Sequence, residues 1–220
     1  SNTGEGYGGG LYLYEGRWLI THSVISSNVA GFGNNGGNYG GGAILLGAHT
    51  LANSRIEGNL LAGQAGAVRR GGGLYLNGGM VRDCRIATNR MTTTTSTNAN
   101  GGGVFLAVGN LRNCLIIENA AIRDGGGIYA LTNASAIESV TVAGNHTVEA
   151  GFVAGVYLVA PGSTPGVTNC IFAHNYRDFD VTDVSVTDTG GTFAYSCTRP
   201  GRAGTGNVDG DPGFTDYTIG

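Results

Sequence analysis

The chain has 220 residues, of which 42 are Gly, and its formal net charge is −3. Hydrophobic residues make up 41% of it, too many for a disordered polypeptide, and the absence of a Gly-X-Y period excludes a collagen triple helix. The 12 basic residues are all Arg and give no electrostatic footprint for nucleic acid, while no apolar run approaches the roughly 20 residues that cross a membrane. We therefore expect a folded chain with no nucleic-acid partner and no transmembrane segment.

Two short phrases recur in step along the chain. The glycine head is a run of small residues, mostly Gly, followed by apolar residues, and it occurs at 8–13, 41–46, 71–76, 101–106, 125–130, 154–159 and 190–195. The asparagine tail is a short apolar run that ends at Asn28, Asn59, Asn89, Asn119, Asn145 and Asn175, with intervals of 31, 30, 30, 26 and 30 residues. Two landmarks that recur together indicate a repeat architecture.

Each repeat holds short β-type runs separated by Gly, Asn and Thr, without helical periodicity. A unit of about 30 residues can supply three strands and three turns, which is one coil of a parallel β-helix. The sequence predicts one all-β domain over 1–220, a right-handed parallel β-helix of about seven coils. Its repeats are 8–40, 41–70, 71–100, 101–124, 125–153 and 154–189, with a closing segment at 190–220. A leucine-rich repeat is the nearest alternative, but its L-x-x-L-x-L core is absent.

Alternation of side chains along a strand predicts which residues face the core. From the heads we expect one inward column of Leu11, Ile44, Leu74, Val104, Ile128 and Val156 and another of Leu13, Leu46, Leu76, Leu106 and Leu158. The tails add Ile25, Ile56, Ile86, Ile116, Val142 and Phe172. The Asn that ends each tail suits a left-handed turn, and the six Asn side chains are expected to hydrogen-bond from coil to coil as an asparagine ladder.

The cysteines follow the same register. Cys84, Cys114 and Cys170 each lie five residues before the Asn of their coil, at a position that faces inward. Neighbouring coils place Cys84 and Cys114 about 4.8 Å apart, but parallel Cβ vectors disfavour a disulfide. We expect free, buried thiols, which do not indicate a redox compartment.

The heads, GG[GA]-[LIV]-[YF], and the tails, [IVF]-x-x-N, resemble the repeats of bacterial polymorphic outer-membrane proteins and related β-helix surface proteins, over nearly the whole chain. The segments NCIFAHN (169–175), FAYSCT (193–198) and GTGNVDGDPGF (204–214) are similar to the closing segment of β-helix proteins with a choice-of-anchor domain. The resemblance implies an exported protein, secreted or displayed at the cell surface. In that group a Gly-Asp-Tyr-Arg-Leu type phrase and an anchor usually follow, whereas DYTIG follows here, so no anchoring residue is carried over.

The middle residue of the head strand is aromatic in most coils. These residues, which we name the aromatic column, are Tyr12, Tyr75, Phe105, Tyr129 and Tyr157, with Leu45 interrupting them. They are expected to point outward. Two interpretations stay open: the rings stack on one another and cover the sheet, or they form an apolar platform for sugar rings or a partner chain.

The segments between each Asn and the next head vary most in length, which predicts loops along one edge. Arg69, Arg70 and Arg90 lie there and are expected to be exposed, where they either contact an anionic glycan or only add solubility. GFGNNG (31–36) satisfies the dinucleotide-binding pattern but leads into the next coil instead of a helix, so we interpret it as a turn.

The acidic residues form no column of the kind that would indicate a polysaccharide lyase or hydrolase. One cluster contains Asp178, Asp180 and Asp183, which either bind Ca²⁺ through their carboxylates or belong to a solvated turn. The histidines occupy different repeat positions and predict no zinc site. Calcium is thus the one cofactor that the sequence suggests, and no catalytic residue is predicted.

These observations favour a non-enzymatic, exported or cell-surface module. It would act in adhesion or ligand binding, with a polysaccharide as ligand, or serve as a structural subunit with another protein of a surface assembly. The alternative is a polysaccharide-active enzyme, similar to a lyase or glycoside hydrolase, or its inactive remnant. That alternative requires carboxylates gathered beside the binding groove.

Overall fold

The computed structural model describes residues 1–31, 37–63, 67–92, 98–131, 136–159, 166–178, 183, 185–188 and 191–214. Over these residues the chain is all-β, without a helix, and winds as a parallel β-solenoid of about six turns that lie about 30 residues apart. The predicted fold class is confirmed, with slightly fewer turns than expected. No described residue belongs to a helix long and apolar enough to span a membrane.

Strands at equivalent places in successive coils pair in parallel, and we name each column by its place in the repeat. The head column contains Leu11–Leu13, Ala43–Leu46, Leu74–Arg82, Val104–Arg112, Ile128–Leu131, Val156–Val159 and Val186–Asp188. The wall column, which continues from it, contains Leu19–Thr21, Thr50–Ala52, the last residues of the two long head strands, Ala136–Glu138, Gly166–Thr168 and Thr192–Ala194. These two columns share one sheet.

Three further columns complete the solenoid in the described residues. The tail column contains Val24–Ser26, Arg55–Glu57, Arg85–Ala87, Leu115–Ile117, Thr141–Ala143, Ile171–Ala173, Cys197–Thr198 and Val208–Asp209. The post-asparagine column contains Thr3–Gly4, Val29–Ala30, Leu60–Leu61, Arg90–Met91, Ala120–Ala121, His146–Thr147 and Tyr176–Arg177. The insert column contains Gly37–Tyr39, Val68–Arg70 and Ala99–Asn100.

The main core is formed by the inward residues of the head, wall and tail columns. The predicted tail residues are all buried, from Ile25 to Phe172. Cys84, Cys114 and Cys170 are buried as free thiols, as expected, and Cys197 is a fourth free thiol that is half-buried. Burial raises the pKa of the Cys170 thiol to about 11, which is consistent with a small apolar role.

The register of the second coil differs from the prediction by one residue. Leu74 pairs with Ala43, so Ala43 and Leu45 face the core and Ile44 takes the outward position. The expectation that Ile44 and Leu46 face inward, with Leu45 outward, is therefore wrong. The heads from the third coil to the sixth pair as predicted. The seventh head, expected at 190–195, is wrong: Val186–Asp188 pairs with the sixth head strand, and Thr192–Ala194 lies in the wall column.

The reason for the register of the second coil is a contact between the last head glycine and the asparagine ladder. A Cβ on Gly42 would lie 2.7 Å from Nδ2 of Asn59, closer than real Cβ atoms approach. The same contact recurs at Gly10, Gly73, Gly103 and Gly127. Ala43 cannot occupy this place, so Gly42 does, and the strand begins at Ala43, one residue earlier than predicted.

The asparagine ladder is confirmed. Each side-chain amide donates to Oδ1 of the Asn in the next coil, and the same Oδ1 accepts the backbone N–H of the preceding Asn, at 2.9–3.0 Å. The left-handed turn lies one residue earlier than expected, for example at Thr88 with φ of 53° and Glu118 with φ of 56°. The Asn itself stays free to aim its amide along the solenoid.

The insert column covers a second, smaller core. Its members are Ala30, Leu61, Met91, Ala99 and Ile122, with Val148 packed against them. The segments between the Asn and the head therefore fold back as a short sheet against the post-asparagine column, instead of ending in loops only. We name this folded-back sheet, formed by the insert column, the arm. It lies beside the outward face of the head column.

Candidate functional site

The aromatic column forms a continuous stack in the described structure. Ring centroids are 5.5 Å apart for Tyr75 and Phe105, 5.0 Å for Phe105 and Tyr129, and 5.3 Å for Tyr129 and Tyr157, with planes inclined by 15–19°. Tyr39, from the insert column, replaces the missing ring of the second coil and lies 5.0 Å from Tyr75. The outward orientation predicted from the sequence is thus confirmed.

The stacking decides what this column offers to a ligand. Because the ring faces of Tyr75, Phe105 and Tyr129 lie against one another, only ring edges and hydroxyl groups reach the surface. Phe105 is 1% exposed. The geometry agrees with the first interpretation, in which the rings cover the sheet, and leaves no open face for a sugar ring along this part of the column.

Arg70 adds to this closed stack. Its guanidinium carbon lies 5.0 Å from the ring centroid of Phe105 and 5.7 Å from that of Tyr39, within the range of a cation–π contact. Burial is the main reason that the pKa of the Tyr75 and Tyr129 phenols is raised. Arg70 belongs to the arm and is half-buried, and its contacts with the rings of Tyr39 and Phe105 stabilise the stack.

The other two predicted arginines lie in different environments. Arg69 is fully buried, so the expectation that it is exposed at the edge is wrong. It pairs with Asn38 and Ala99 in the insert column, and alternation turns its side chain toward the second core while Arg70 points to the aromatic column. Arg90 is exposed in the post-asparagine column, as expected.

The predicted acidic cluster is divided in the structure. Asp183 caps the ladder: its carboxylate accepts hydrogen bonds from the backbone N–H groups of His174 at 2.7 Å and Asn175 at 3.1 Å. Asp178 lies 3.6 Å from Nε2 of His146. Asp180 lies outside the described residues, among which no group of three or more His, Cys, Asp or Glu side chains converges. Calcium binding remains a prediction.

A cleft of about 370 Å³ opens where the head strands pass into the wall column. We name it the glycine cleft. Its lining consists of Ala48, His49, Thr50, Gly79, Met80, Val108, Gly109 and Asn110, which come from three successive coils. The strand pairing shifts register here, between Leu76 and Met80, and a bulge of this kind bends the strand.

Glycine is required at the floor of this cleft. Gly79 has φ of 80°, and a Cβ there would lie 2.1 Å from the carbonyl oxygen of His49. The coils can therefore approach closely only without a side chain, and the missing side chain leaves a depression between Met80 and Val108.

Trp18 stands beside the glycine cleft. Its backbone N–H donates to Nδ1 of His49 at 3.4 Å, and its indole N–H donates to the carbonyl oxygen of Glu15 at 2.7 Å. The second bond fixes the orientation of the ring, which is 58% exposed. The first coil thus carries an exposed indole of fixed orientation on a residue whose backbone contacts His49 of the cleft.

His49 is buried beneath the cleft, and both of its ring nitrogens face protein hydrogen-bond partners. Nδ1 accepts the N–H of Trp18, and Nε2 lies 3.0 Å from the carbonyl oxygen of Leu46, to which it donates. The side chains that line the cleft are therefore apolar, hydroxyl, amide or imidazole groups.

No protein-family model, curated protein or solved structure matches the chain. The site must accordingly be judged on its own geometry.

More aromatic surface lies in the first coil than the repeat indicates. Tyr12 is 48% exposed and Tyr14 is 63% exposed, and their rings are 6.5 Å apart and inclined by 15°. Tyr12 was predicted; Tyr14 and Trp18 were missed because they lie outside the head triplet. The signal for Trp18 was that it is the single Trp of the chain, in a segment that departs from the repeat.

Sequence reasoning also missed the ends of the ladder. The backbone N–H of Asn2 donates to Oδ1 of Asn28 at 2.9 Å, as a further member of the ladder would. Its separation of 26 residues from Asn28 equals the interval between Asn119 and Asn145, which was the available signal. At the other end, the amide of Asn175 donates to the hydroxyl of Ser185 at 2.9 Å.

Proposed function

We propose that the protein is an exported or surface-displayed β-solenoid module that binds carbohydrate at the glycine cleft, with Trp18 as the aromatic contact. The observation that carries this proposal is an exposed indole of fixed orientation on a residue whose backbone contacts His49, in a cleft with few polar groups. Ligand sites combine an apolar or aromatic lining with a small number of placed polar groups in this way.

The polar groups of the cleft are suited to sugar hydroxyls. In the described structure the Thr50 hydroxyl takes part in no hydrogen bond, and the Asn110 carbonyl oxygen accepts the backbone N–H of Ala136 at 3.2 Å, which leaves its amide NH₂ able to donate. A hydroxyl and an amide can each pair with the vicinal hydroxyls of a sugar ring. Trp18 would contact the apolar face of the same ligand.

The chemistry of the lining supports binding instead of cleavage. Glycoside hydrolysis commonly uses a pair of carboxyl groups that flank the scissile bond. The cleft is lined by hydroxyl, amide, imidazole and apolar groups. Cleavage remains the alternative, and its products would be detected in the experiment below.

The single tryptophan gives a direct test, because its fluorescence reports only on this site. Purified protein is screened on a broad glycan array, and each hit is titrated by Trp18 fluorescence. We expect Trp18→Ala, followed by calorimetry, to weaken binding more than about thirtyfold, as for a central aromatic contact. Trp18→Phe should retain part of the affinity.

The matched control is Tyr195→Ala, which removes an equally exposed aromatic ring, 66% accessible, from a distant coil. It should leave glycan affinity unchanged. The proposal fails if no glycan binds, if the control loses affinity as Trp18→Ala does, or if the hit is degraded during incubation. A hit that depends on Tyr75 or Tyr129 instead would move the site to the aromatic column.

A further inference from the structure

We infer that the ligand of the glycine cleft is an uncharged, linear glycan that lies parallel to the solenoid axis, from Trp18 to Asn110. This inference rests on the proposed function and adds the charge, the length and the direction of the ligand.

The direction follows from the strand register. Leu19 pairs with Thr50, Thr50 with Met80, and Met80 with Asn110, so these residues form one line along the axis. Three coil steps correspond to about 14 Å. This distance exceeds a single sugar ring, so a ligand that contacts both Trp18 and Asn110 must contain several linked rings.

The two ends of this line differ in chemistry. Trp18, 58% exposed, and Leu19, 65% exposed, are apolar, whereas Asn110 offers amide N–H donors. Met80 and Val108 between them are partly exposed and apolar. A glycan would therefore place an apolar ring face on Trp18 and direct hydroxyl groups of a later ring to Asn110.

The charge follows from the lining. None of the eight lining residues is Asp, Glu, Lys or Arg, and both ring nitrogens of the buried His49 are engaged in hydrogen bonds to the protein. Glu15 and Arg17, which precede Trp18 in sequence, are exposed and of opposite charge. An acidic sugar would lose hydration of its carboxylate or sulfate without gaining a cation in the cleft.

The arginines that an acidic glycan would require are placed elsewhere. Arg69 is buried under the arm, and Arg70 lies against the rings of Tyr39 and Phe105. Both belong to the insert column, outside the cleft lining. The uncharged class is thus favoured over the anionic class that the sequence had suggested for these arginines.

The experiment is a fluorescence titration of the full chain with two series of oligosaccharides. Neutral gluco-, manno- and xylo-oligomers, from one ring to six, are compared with oligogalacturonides and chondroitin sulfate oligomers, at low and high salt. We expect the neutral series of one glycan class to bind more tightly as the chain lengthens and then to level off, with affinity independent of salt. Acidic oligomers should bind at least about tenfold more weakly.

Asn110→Asp tests the direction, because it keeps the oxygen that accepts from Ala136 and removes the NH₂ group. This variant should bind long oligomers about tenfold more weakly and should bind the shortest oligomers with unchanged affinity. A salt-dependent preference for acidic oligomers would overturn the inference that the ligand is uncharged. Equal affinity for monosaccharides and for six-ring oligomers would overturn the inference that the ligand spans several rings. If Asn110→Asp weakens the binding of short and long oligomers equally, the inference that the glycan runs along the axis from Trp18 to Asn110 is overturned. If no oligomer and no array glycan binds, the proposed function itself fails.

Discussion

The side-chain amide of Asn119 donates a hydrogen bond to Oδ1 of Asn145, one coil further on, at 2.9 Å. The same amide also donates to the carbonyl oxygen of Ile86, at 2.9 Å. Oδ1 of Asn119 in turn accepts the backbone N–H and the side-chain amide of Asn89, at 3.0 and 2.9 Å. One buried side chain therefore ties three coils together.

Asn119→Ala should lower the free energy of unfolding by about 2–4 kcal/mol, because it removes the oxygen that accepts both the buried backbone N–H and the buried side-chain amide of Asn89. Urea denaturation followed by circular dichroism measures this loss. Asn77→Ala, at an exposed position of a head strand outside the ladder, should change stability by less than about 0.5 kcal/mol. Similar losses in both variants would show that the ladder adds no special stability.

Gly79→Ala should distort the glycine cleft. The added Cβ would lie 2.1 Å from the carbonyl oxygen of His49, at a φ of 80° that alanine rarely adopts, so we expect a loss of about 1–3 kcal/mol and weaker glycan binding. Gly166→Ala is the control, since no atom lies within 4 Å of the new Cβ. It should keep both stability and binding, and equal behaviour of the two variants in thermal melts would contradict the assigned role of Gly79.

Much of the fold could be predicted because two landmarks recur in each coil. The Asn that ends each tail and the glycines that precede each head fix the inward residues between them, and Ile86, Ile116 and Leu106 are buried as expected. The hydrogen bonds of the ladder follow from the same register. A period of about 30 residues with alternating strands admits few other solutions.

The register of the second coil, the burial of the insert arginines and the place of Trp18 depend on contacts that the repeat does not encode. Ala43 resembles a third head glycine in sequence, and only the approach of Gly42 to Asn59 shows where the strand begins. Arg69 and Arg70 look alike as neighbours, yet strand alternation buries one and leaves the other against the rings. Trp18 lies outside the head and tail phrases, and the positions between them vary from coil to coil, so the repeat did not single it out.

Phe105→Ala should be strongly destabilising, because the ring packs between Tyr75 and Tyr129 and contacts Arg70. We expect a loss of about 3–5 kcal/mol, typical of a large aromatic residue removed from a core. Tyr12→Ala, at the exposed end of the column, should cost less than about 1 kcal/mol. Chemical denaturation of both variants tests whether the column is a structural stack, and a large loss for Tyr12→Ala alone would argue against it.

His146 should make stability depend on pH. Its ring stacks on Tyr176 at 5.4 Å, and its Nδ1 is buried without a hydrogen-bond partner in the described structure. Burial lowers the pKa of His146 below its usual value of 6.5, and the nearby Asp178 opposes this only in part. The unfolded chain therefore binds more protons than the folded chain between the folded-state pKa and about 6.5.

It follows that the free energy of unfolding falls as the pH drops through about 6.5 and that this contribution is fully present above it. His146→Gln should remove this part of the pH dependence of the free energy of unfolding. The difference in that free energy between the variant and the wild type should therefore narrow, or change in favour of the variant, as the pH falls from 7.5. Urea titrations at a series of pH values measure it. A curve for His146→Gln that runs parallel to that of the wild type would show that this imidazole does not control the acid response.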